Sequence, residues 1–120
     1  MKRHSIDKIP SPSDLARVTE VFKALSEPVR LQLVLLLSKG ECNVTELVTA
    51  LALPQSTVSR HLSMLRAATL VRAERQGTSV IYRLADAHLS ALLIEAFSHA
   101  QHERLQLADH PTEDMAGAKL

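Results

Sequence analysis

The stretch Leu53–Leu62, which reads LPQSTVSRHL, decides how the chain is expected to fold. Pro54 predicts the start of a helix that continues to about Ala68, because proline is favoured at a helix start and disfavoured inside. One face of this helix is apolar, with residues at positions i, i+4 and i+7: Val58, Leu62 and Leu65. The opposite face carries small polar and basic side chains: Gln55, Ser56, Ser59, Arg60 and Ser63. The stretch therefore predicts a helix with a buried back and an exposed polar front.

Three further helices are predicted before this one. The first runs from Ser13, its expected N-cap, to Leu25, with apolar residues at helical spacing. The second is capped by Ser26, is apolar on nearly every face and is therefore expected to be the central buried helix. Gly40 ends it, and Asn43 begins the third. The third and fourth helices thus form a pair joined by a short turn.

Two runs of alternating residues follow the fourth helix, Leu70–Arg75 and Ser79–Leu84, and the Gln76-Gly77 pair between them predicts a β-hairpin. Asp86 begins a last helix that is expected to reach about Leu107. This order predicts a mainly α (α+β) fold, a winged helix-turn-helix with five helices and a two-stranded wing. The expected organisation is a flexible arm (1–12), one domain (13–107) and a disordered tail (108–120).

Composition restricts the classes of protein to which the chain could belong. Its 120 residues are 46% hydrophobic, which suits a single compact domain, and a formal charge of +1 argues against a histone-like polycation. The aromatic residues Phe22, Tyr82 and Phe97 are too few for a protein that stacks single-stranded bases. The lone Cys42 excludes an internal disulfide and a four-cysteine zinc site. No apolar run is long enough to cross a membrane, so a cytoplasmic location without a membrane partner is expected.

The fourth helix and the hairpin together indicate binding to double-stranded operator DNA. Glutamine can bond the edge of adenine and arginine that of guanine, while serine lets a helix approach the groove closely. Five arginines stand against the single acid Glu74 between Ser59 and Arg83. The candidate DNA-binding residues lie on these two elements: Gln55, Ser56, Thr57, Ser59, Arg60, His61, Arg75, Gln76, Gly77 and Thr78. The alternatives are a solvated polar face without DNA and, for His61 alone, a place at the flank of the helix.

The last helix carries a second pattern, Asp86-x-His88 and His99-x-x-His102. His88 and His99 are eleven residues apart, or about 16 Å along the helix, so one chain cannot bring both to one metal ion. In an antiparallel pair of these helices, with a twofold axis near Ile94, Asp86 would lie beside His102 and His88 beside His99. The pattern therefore predicts a homodimer with two metal sites, each with two ligands from each subunit. One carboxylate and three imidazoles suit Zn(II) or Co(II). The alternative makes Asp86 a helix cap and the histidines exposed polar residues.

Three segments carry a resemblance to a known family: Phe22–Arg30 (FKALSEPVR), Gln55–Leu62 (QSTVSRHL) and Arg75–Tyr82 (RQGTSVIY). Together with the histidine pattern, they make residues 18–102 resemble the ArsR/SmtB family of metal-responsive winged-helix repressors. The resemblance implies a homodimer that binds an inverted-repeat operator when metal-free and releases it when Zn(II), Co(II) or Ni(II) binds. It also implies that His99 can reach a backbone carbonyl near Thr69 and so link the metal site to the DNA-binding helix.

The resemblance also bears on the remaining histidines and on the cysteine. Nickel sensors of the family recruit further ligands from the chain termini, which makes His4 and His110 candidate extra ligands. Other members bind metal through a Cys-x-Cys core on the third helix, but Glu41–Leu47 holds only Cys42, so thiolate sensing of arsenite, cadmium or lead is not expected.

Other functions remain open at this point. One alternative keeps DNA binding without a metal response, with a redox signal at Cys42 or with constitutive repression. Another is a metal-buffering protein, which would need neither the arginines nor the polar helix face. An enzyme is not expected, because four protein ligands leave a zinc ion no open position and the HxxH pattern lacks the glutamate of HExxH.

Overall fold

The computed structural model describes residues 9–109, with side chains as far as Leu105. Its five helices are α1 (Pro12–Leu25), α2 (Pro28–Leu37), α3 (Val44–Leu51), α4 (Gln55–Ala67) and α5 (Ala87–Asp109). Its three strands are β1 (Cys42–Asn43), β2 (Val71–Gln76) and β3 (Ser79–Leu84). The winged helix-turn-helix with five helices is confirmed, and the sheet has one strand more than predicted. The predicted arm and tail lie largely outside the described residues.

The helix ends differ slightly from those predicted, because other side chains provide the caps. The Ser11 hydroxyl, and not that of Ser13, accepts the hydrogen bond from the backbone N–H of Asp14 at 3.1 Å. Glu27, and not Ser26, caps α2, since its Oε1 accepts from the N–H of Arg30 at 3.1 Å. A glutamate side chain at this position is long enough to turn back onto the first helical turn.

The sheet is antiparallel, with strand order β1-β3-β2. The hairpin turn is Gly77-Thr78, one residue later than predicted, and Gly77 adopts the left-handed φ of 66° that the turn requires. Strand β1 pairs Cys42 with Tyr82. A strand of two residues has no period to detect, which is why the sequence did not predict it. Its pairing attaches the start of α3 to the wing.

The core forms around α2, whose Leu33 and Val34 are fully buried. The predicted central position of this helix is therefore confirmed. The predicted apolar face of α4 is confirmed as well, because Val58, Leu62 and Leu65 have no exposed surface. This packing turns the opposite, polar face of α4 to the outside and holds it there.

Helices α1 and α5 keep large apolar side chains exposed within one chain: Leu15, Val18, Phe22, Leu92, Ile94, Phe97 and Leu105. Leu89 and Leu93 are the last buried residues of α5, and every residue from Ile94 to Leu105 is exposed. Within residues 9–109, no helix combines the length and apolar character needed to span a lipid bilayer.

Candidate nucleic-acid interface and metal ligands

The turn between α3 and α4 sets the direction of α4. Helix α3 begins with a capping box, in which Asn43 and Glu46 each accept a backbone hydrogen bond from the other at 2.8 Å. It ends at Leu51, and the C-cap residue Ala52 adopts a left-handed conformation with φ 55° and ψ 44°. Pro54 then occupies the N-cap position of α4. The two helices are therefore joined by a short, conformationally restricted turn.

Helix α4 presents most of its predicted DNA-binding residues to the outside. Gln55, Ser56 and Arg60 are exposed, and Thr57 and Ser59 are half-buried. The four wing residues Arg75–Thr78 are exposed. These nine residues therefore lie wholly or partly at the surface.

A polar groove of about 290 Å³ separates α4 from the wing. Its polar walls come from three regions: Asn43 at the N-cap of α3 with Thr45 of α3, Gln55 and Ser59 of α4, and Thr78 and Ser79 of the wing. Gln55, Ser59 and Thr78 were predicted from the sequence, whereas Asn43, Thr45 and Ser79 were not. Asn43 was recognised only as a helix start, and its place beside the wing depends on the β1–β3 pairing.

The two faces of the wing carry different charges. Arg75 lies opposite Val80, on the face that also holds Tyr82, and both of these partners line the polar groove. Arg83 lies on the other face, where its Nη1 is 2.9 Å from Oε1 of Glu74. Among the described side chains, Arg75 has no carboxylate partner. The uncompensated positive charge of the wing tip is thus on the side of the groove.

The structure corrects the assignment of His61. Its side chain is on the inner face of α4 and only 5% exposed, with Nδ1 at 3.1 Å from Nη1 of Arg30 and 3.8 Å from Oε1 of Glu27. The position is three residues after Val58 and one before Leu62, so it shares their buried face. His61 is therefore not placed to contact DNA directly, and the other nine candidates remain accessible.

The first two candidate metal ligands lie together at the start of α5. Oδ1 of Asp86 accepts hydrogen bonds from the backbone N–H groups of His88 at 2.9 Å and Leu89 at 3.3 Å, so Asp86 also acts as a helix cap. Nδ1 of His88 is 3.5 Å from the same oxygen, and the His88 side chain is 98% exposed. The side chains of both candidate ligands therefore lie at the surface.

The other two candidates, His99 and His102, lie on the exposed second half of α5. Among the described residues of one chain, no three His, Cys, Asp or Glu side chains come together in an arrangement that could hold a metal ion. One chain thus holds two separate halves of the predicted set. His4 and His110 lie outside the described residues.

A concavity of about 200 Å³ joins the first of these halves to the end of α4. Asp86 and His88 line it together with Thr69 and Leu70, which follow the C-cap of α4. Thr69 has a positive φ of 59°, unusual for a β-branched residue. His99 does not line this concavity, so within one chain it is His88 that lies beside Thr69.

Cys42 is half-buried on β1, where its Sγ donates to the backbone oxygen of Gly40 at 3.6 Å. Burial, and secondly the charge of Glu46, raise the pKa of the Cys42 thiol. A raised pKa disfavours the thiolate that reacts with oxidants and binds soft metals. The environment of Cys42 therefore does not favour redox sensing.

Comparisons with known proteins agree with this architecture. The family model "Bacterial regulatory protein, arsR family" matches residues 27–73. The HTH-type transcriptional repressor SmtB of Mycobacterium tuberculosis is 45% identical over 86 residues, which are 72% of this chain and 64% of SmtB. The chain thus spans slightly less than two thirds of that relative. The HTH-type transcriptional regulator NmtR of the same species is 41% identical over 98 residues, which are 81% of this chain and 82% of NmtR.

A solved structure shows the same fold. The homodimeric winged helix-turn-helix DNA-binding domain Mb0332 of Mycobacterium bovis superposes with a TM-score of 0.70 and 34% identity. The match covers 84% of this chain and 91% of that one. By its fold and by its identity to NmtR over most of both chains, the protein belongs to the arsR family of bacterial regulatory proteins.

Proposed function

We propose that the protein is a transcriptional repressor that binds operator DNA as a homodimer and releases it when a metal ion binds to α5. The observation that carries DNA binding is the polar groove between α3, α4 and the wing. Arg60 of α4 and Arg75 of the wing are exposed on two of the elements that form it. Bidentate donors on a helix that can enter the major groove, with arginines placed for phosphates, suit double-stranded DNA. The relatives support the same role, since SmtB is a transcriptional repressor and NmtR a transcriptional regulator.

The exposed apolar side chains of α1 and α5 support a homodimer. Side chains such as Phe22, Ile94 and Phe97 are about half exposed in one chain, and a second copy would remove them from water. The similar Mycobacterium bovis domain is homodimeric. We place the twofold axis near Ile94, with the two α5 helices antiparallel. This arrangement would present two copies of α4 to two half-sites of an inverted repeat.

The residues on α5 fit a metal ion in such a dimer. Asp86 and His88 are exposed and only 3.5 Å apart, so one movement of the side chains could direct both to a common ion. His99 and His102 of the second copy would complete the set with two imidazoles. Three nitrogens and one carboxylate oxygen suit Zn(II), with Co(II) or Ni(II) as alternatives. His4 and His110 are candidates to extend the set toward six ligands.

The concavity at the end of α4 indicates how the α5 residues could influence DNA binding. His88 lies beside Thr69, and His99 of the second copy would lie beside His88, close to the backbone that leaves α4. An imidazole that binds a metal ion usually donates a hydrogen bond from its other ring nitrogen. For His99, a backbone carbonyl near Thr69 would be the acceptor. Fixing the two subunits through α5 would fix the separation of the two α4 helices. DNA and metal would then weaken each other's binding by the same factor.

Operator binding is tested with a fluorescein-labelled duplex that the metal-free protein enriches from a random-sequence library. R60Q should weaken binding at least about tenfold, because it removes a charged group from the exposed face of α4. K39Q removes a positive charge from an exposed position after α2 and should change affinity less than about twofold. Failure to enrich any duplex would refute the proposed DNA binding.

The metal response is tested with the same duplex in the presence and absence of zinc. Zinc should weaken binding by about 10- to 100-fold, and H99A should bind like the wild type without metal but lose the response. Q101A, a neighbouring exposed position on α5, should keep it. Equal affinity for the duplex with and without zinc, cobalt and nickel would refute the metal response and leave the proposed DNA binding intact. Cobalt(II) absorption would separate a tetrahedral from an octahedral site by its intensity.

A further inference from the structure

His61 is the one polar or charged side chain that is buried among the residues the structure describes. It lies on the inner face of α4, opposite the exposed residues Gln55 and Ser56 that are proposed to contact DNA. Its partner is Arg30 of α2, whose Nη1 is 3.1 Å from Nδ1 of His61. Thirty-one positions separate these two residues in the sequence, so the contact is a product of the tertiary fold alone.

The guanidinium of Arg30 connects three helices. Its Nε donates to the backbone oxygen of Ala24 at the end of α1, at 2.5 Å. Its Nη1 also lies 3.1 Å from Sδ of Met64, which is one turn after His61 on α4. Arg30 thus holds two successive turns of α4 from one side, while the apolar core holds the helix through Val58, Leu62 and Leu65. Apolar contacts are non-directional, whereas these hydrogen bonds specify the rotation of α4 about its axis.

The contact requires neutral His61. An arginine has no acceptor, so Nδ1 must offer a lone pair, and a protonated ring would place N–H groups of two cations against each other. The charged groups near His61 are Glu27 at the N-cap of α2, Arg30 of α2 and Arg60 of α4. Burial lowers the pKa of His61 first, Arg60 and Arg30 lower it further, and Glu27 opposes them without reversing the shift. The neutral ring is therefore the resting form at neutral pH.

We propose that Arg30 and neutral His61 form a positioning pair that sets the orientation of α4 for DNA binding, and that protonation of His61 weakens this binding. The inference rests on the proposed operator binding. On protonation, the imidazolium has an alternative partner in the carboxylate of Glu27, now 3.8 Å away. A turn of the ring toward Glu27 releases Arg30, and α4 loses the directional part of its attachment to α2.

The test measures affinity of the metal-free protein for the enriched fluorescein-labelled duplex, with a chelator present. R30Q and H61A should each weaken binding about tenfold, because each removes a hydrogen bond that involves a charged group. R30K keeps the charge but cannot reach Ala24, His61 and Met64 together, so it should behave like R30Q. H61N can offer its Oδ1 in place of Nδ1 and should restore most of the affinity. K39Q is the matched control for R30Q, with the same change in charge.

A pH series separates positioning from a general structural role. Wild-type affinity should fall several-fold between about pH 7.5 and about pH 5.5, and H61N should not show this loss. Acidification otherwise makes a protein surface more positive, which favours DNA binding. A loss of affinity on acidification is therefore opposite in sign to the general effect. Circular dichroism at each pH verifies that all variants are folded.

The outcomes distinguish this inference from the proposed function. If the wild type binds the duplex but the variants match it in affinity and pH profile, the positioning pair is refuted and operator binding stands. If no duplex is enriched, operator binding fails, and so does the role of the pair in it. The contact itself is then examined by NMR titration of the His61 ring. Its pKa should be below the ordinary value of about 6.5 and should rise in R30Q, and an unchanged pKa would refute the contact as well.

Discussion

The region from α2 to β3 is packed within one chain, whereas the second half of α5 is not. In the first region, Leu33, Leu62 and Leu65 have no exposed surface, and the polar groove is formed by elements of a single subunit. In the second, every side chain from Ile94 to Leu105 is exposed, including the large apolar side chain of Phe97. The proposed DNA-binding surface is thus a property of each folded chain, while the proposed metal site needs two chains.

Variants in the two regions should differ in how their effects depend on protein concentration. Changes in the first region should act on folding or on DNA contacts independently of protein concentration. Changes on α5 should act through an association equilibrium, and their effects should depend on concentration. Variants in each region can therefore test whether the division is real.

The largest effect is expected for L62A. Leu62 is fully buried on the inner face of α4, and its truncation leaves a cavity in the core of one chain. The free energy of unfolding should fall by about 2–5 kcal/mol, measured by urea denaturation followed by circular dichroism. L105A makes the same deletion at an α5 residue that is 55% exposed within one chain, and it should cost the dissociated monomer less than about 1 kcal/mol. Equal losses would contradict the division between the two regions.

The next effect concerns association. F97D places a charge at an apolar position that we assign to the dimer interface and should weaken dimerisation about 100-fold, a change typical of a central interface residue. Sedimentation equilibrium would measure the dissociation constant, and far-UV circular dichroism should show an unchanged fold. F97L keeps an apolar side chain and should stay close to the wild type. If F97D remains dimeric, α5 is not the interface.

The two regions also differed in how far the sequence could predict them. The apolar positions of α4 follow a helical period, so its buried face could be predicted from neighbours along the chain. The burial of His61 follows from its place between Val58 and Leu62, but its partner Arg30 could not be predicted, because nothing local links two residues on different helices. The same holds for Asn43, which reaches the groove through a strand of two residues.

On α5, prediction of the site from the sequence was limited for another reason. The shared metal site was inferred entirely from the spacing of Asp86, His88, His99 and His102. The same spacing already implied that one chain cannot bring all four ligands to one metal ion. The fold of a single chain agrees, since it keeps the two halves apart. For Asp86 the sequence left helix capping and metal binding as alternatives. The spacing could not decide between them, because both use the same carboxylate and differ only in what it faces.

A smaller effect is expected for single charges of the wing. Arg75 lies on the groove side of the sheet without a carboxylate partner among the described side chains, whereas Arg83 lies on the other face, paired with Glu74. R75Q should weaken binding to the enriched duplex about fivefold and reduce the slope of log affinity against log salt concentration by about 2, because the dimer loses one charge in each subunit. R83Q removes the same charge and should change both quantities less. The reverse order would mean that the opposite face of the wing meets the DNA.

The smallest effect distinguishes the two roles of Asp86. Asparagine caps helices as well as aspartate does, so D86N should keep the hydrogen bonds to the N–H groups of His88 and Leu89. Without metal, its free energy of unfolding should stay within about 0.3 kcal/mol of the wild type, while D86A should lose about 1 kcal/mol. A neutral amide is a poor zinc ligand, so both variants should bind zinc more weakly, as measured by competition with a chromophoric chelator. If D86N binds zinc as tightly as the wild type, Asp86 is only a cap, and the shared site on α5 loses its carboxylate.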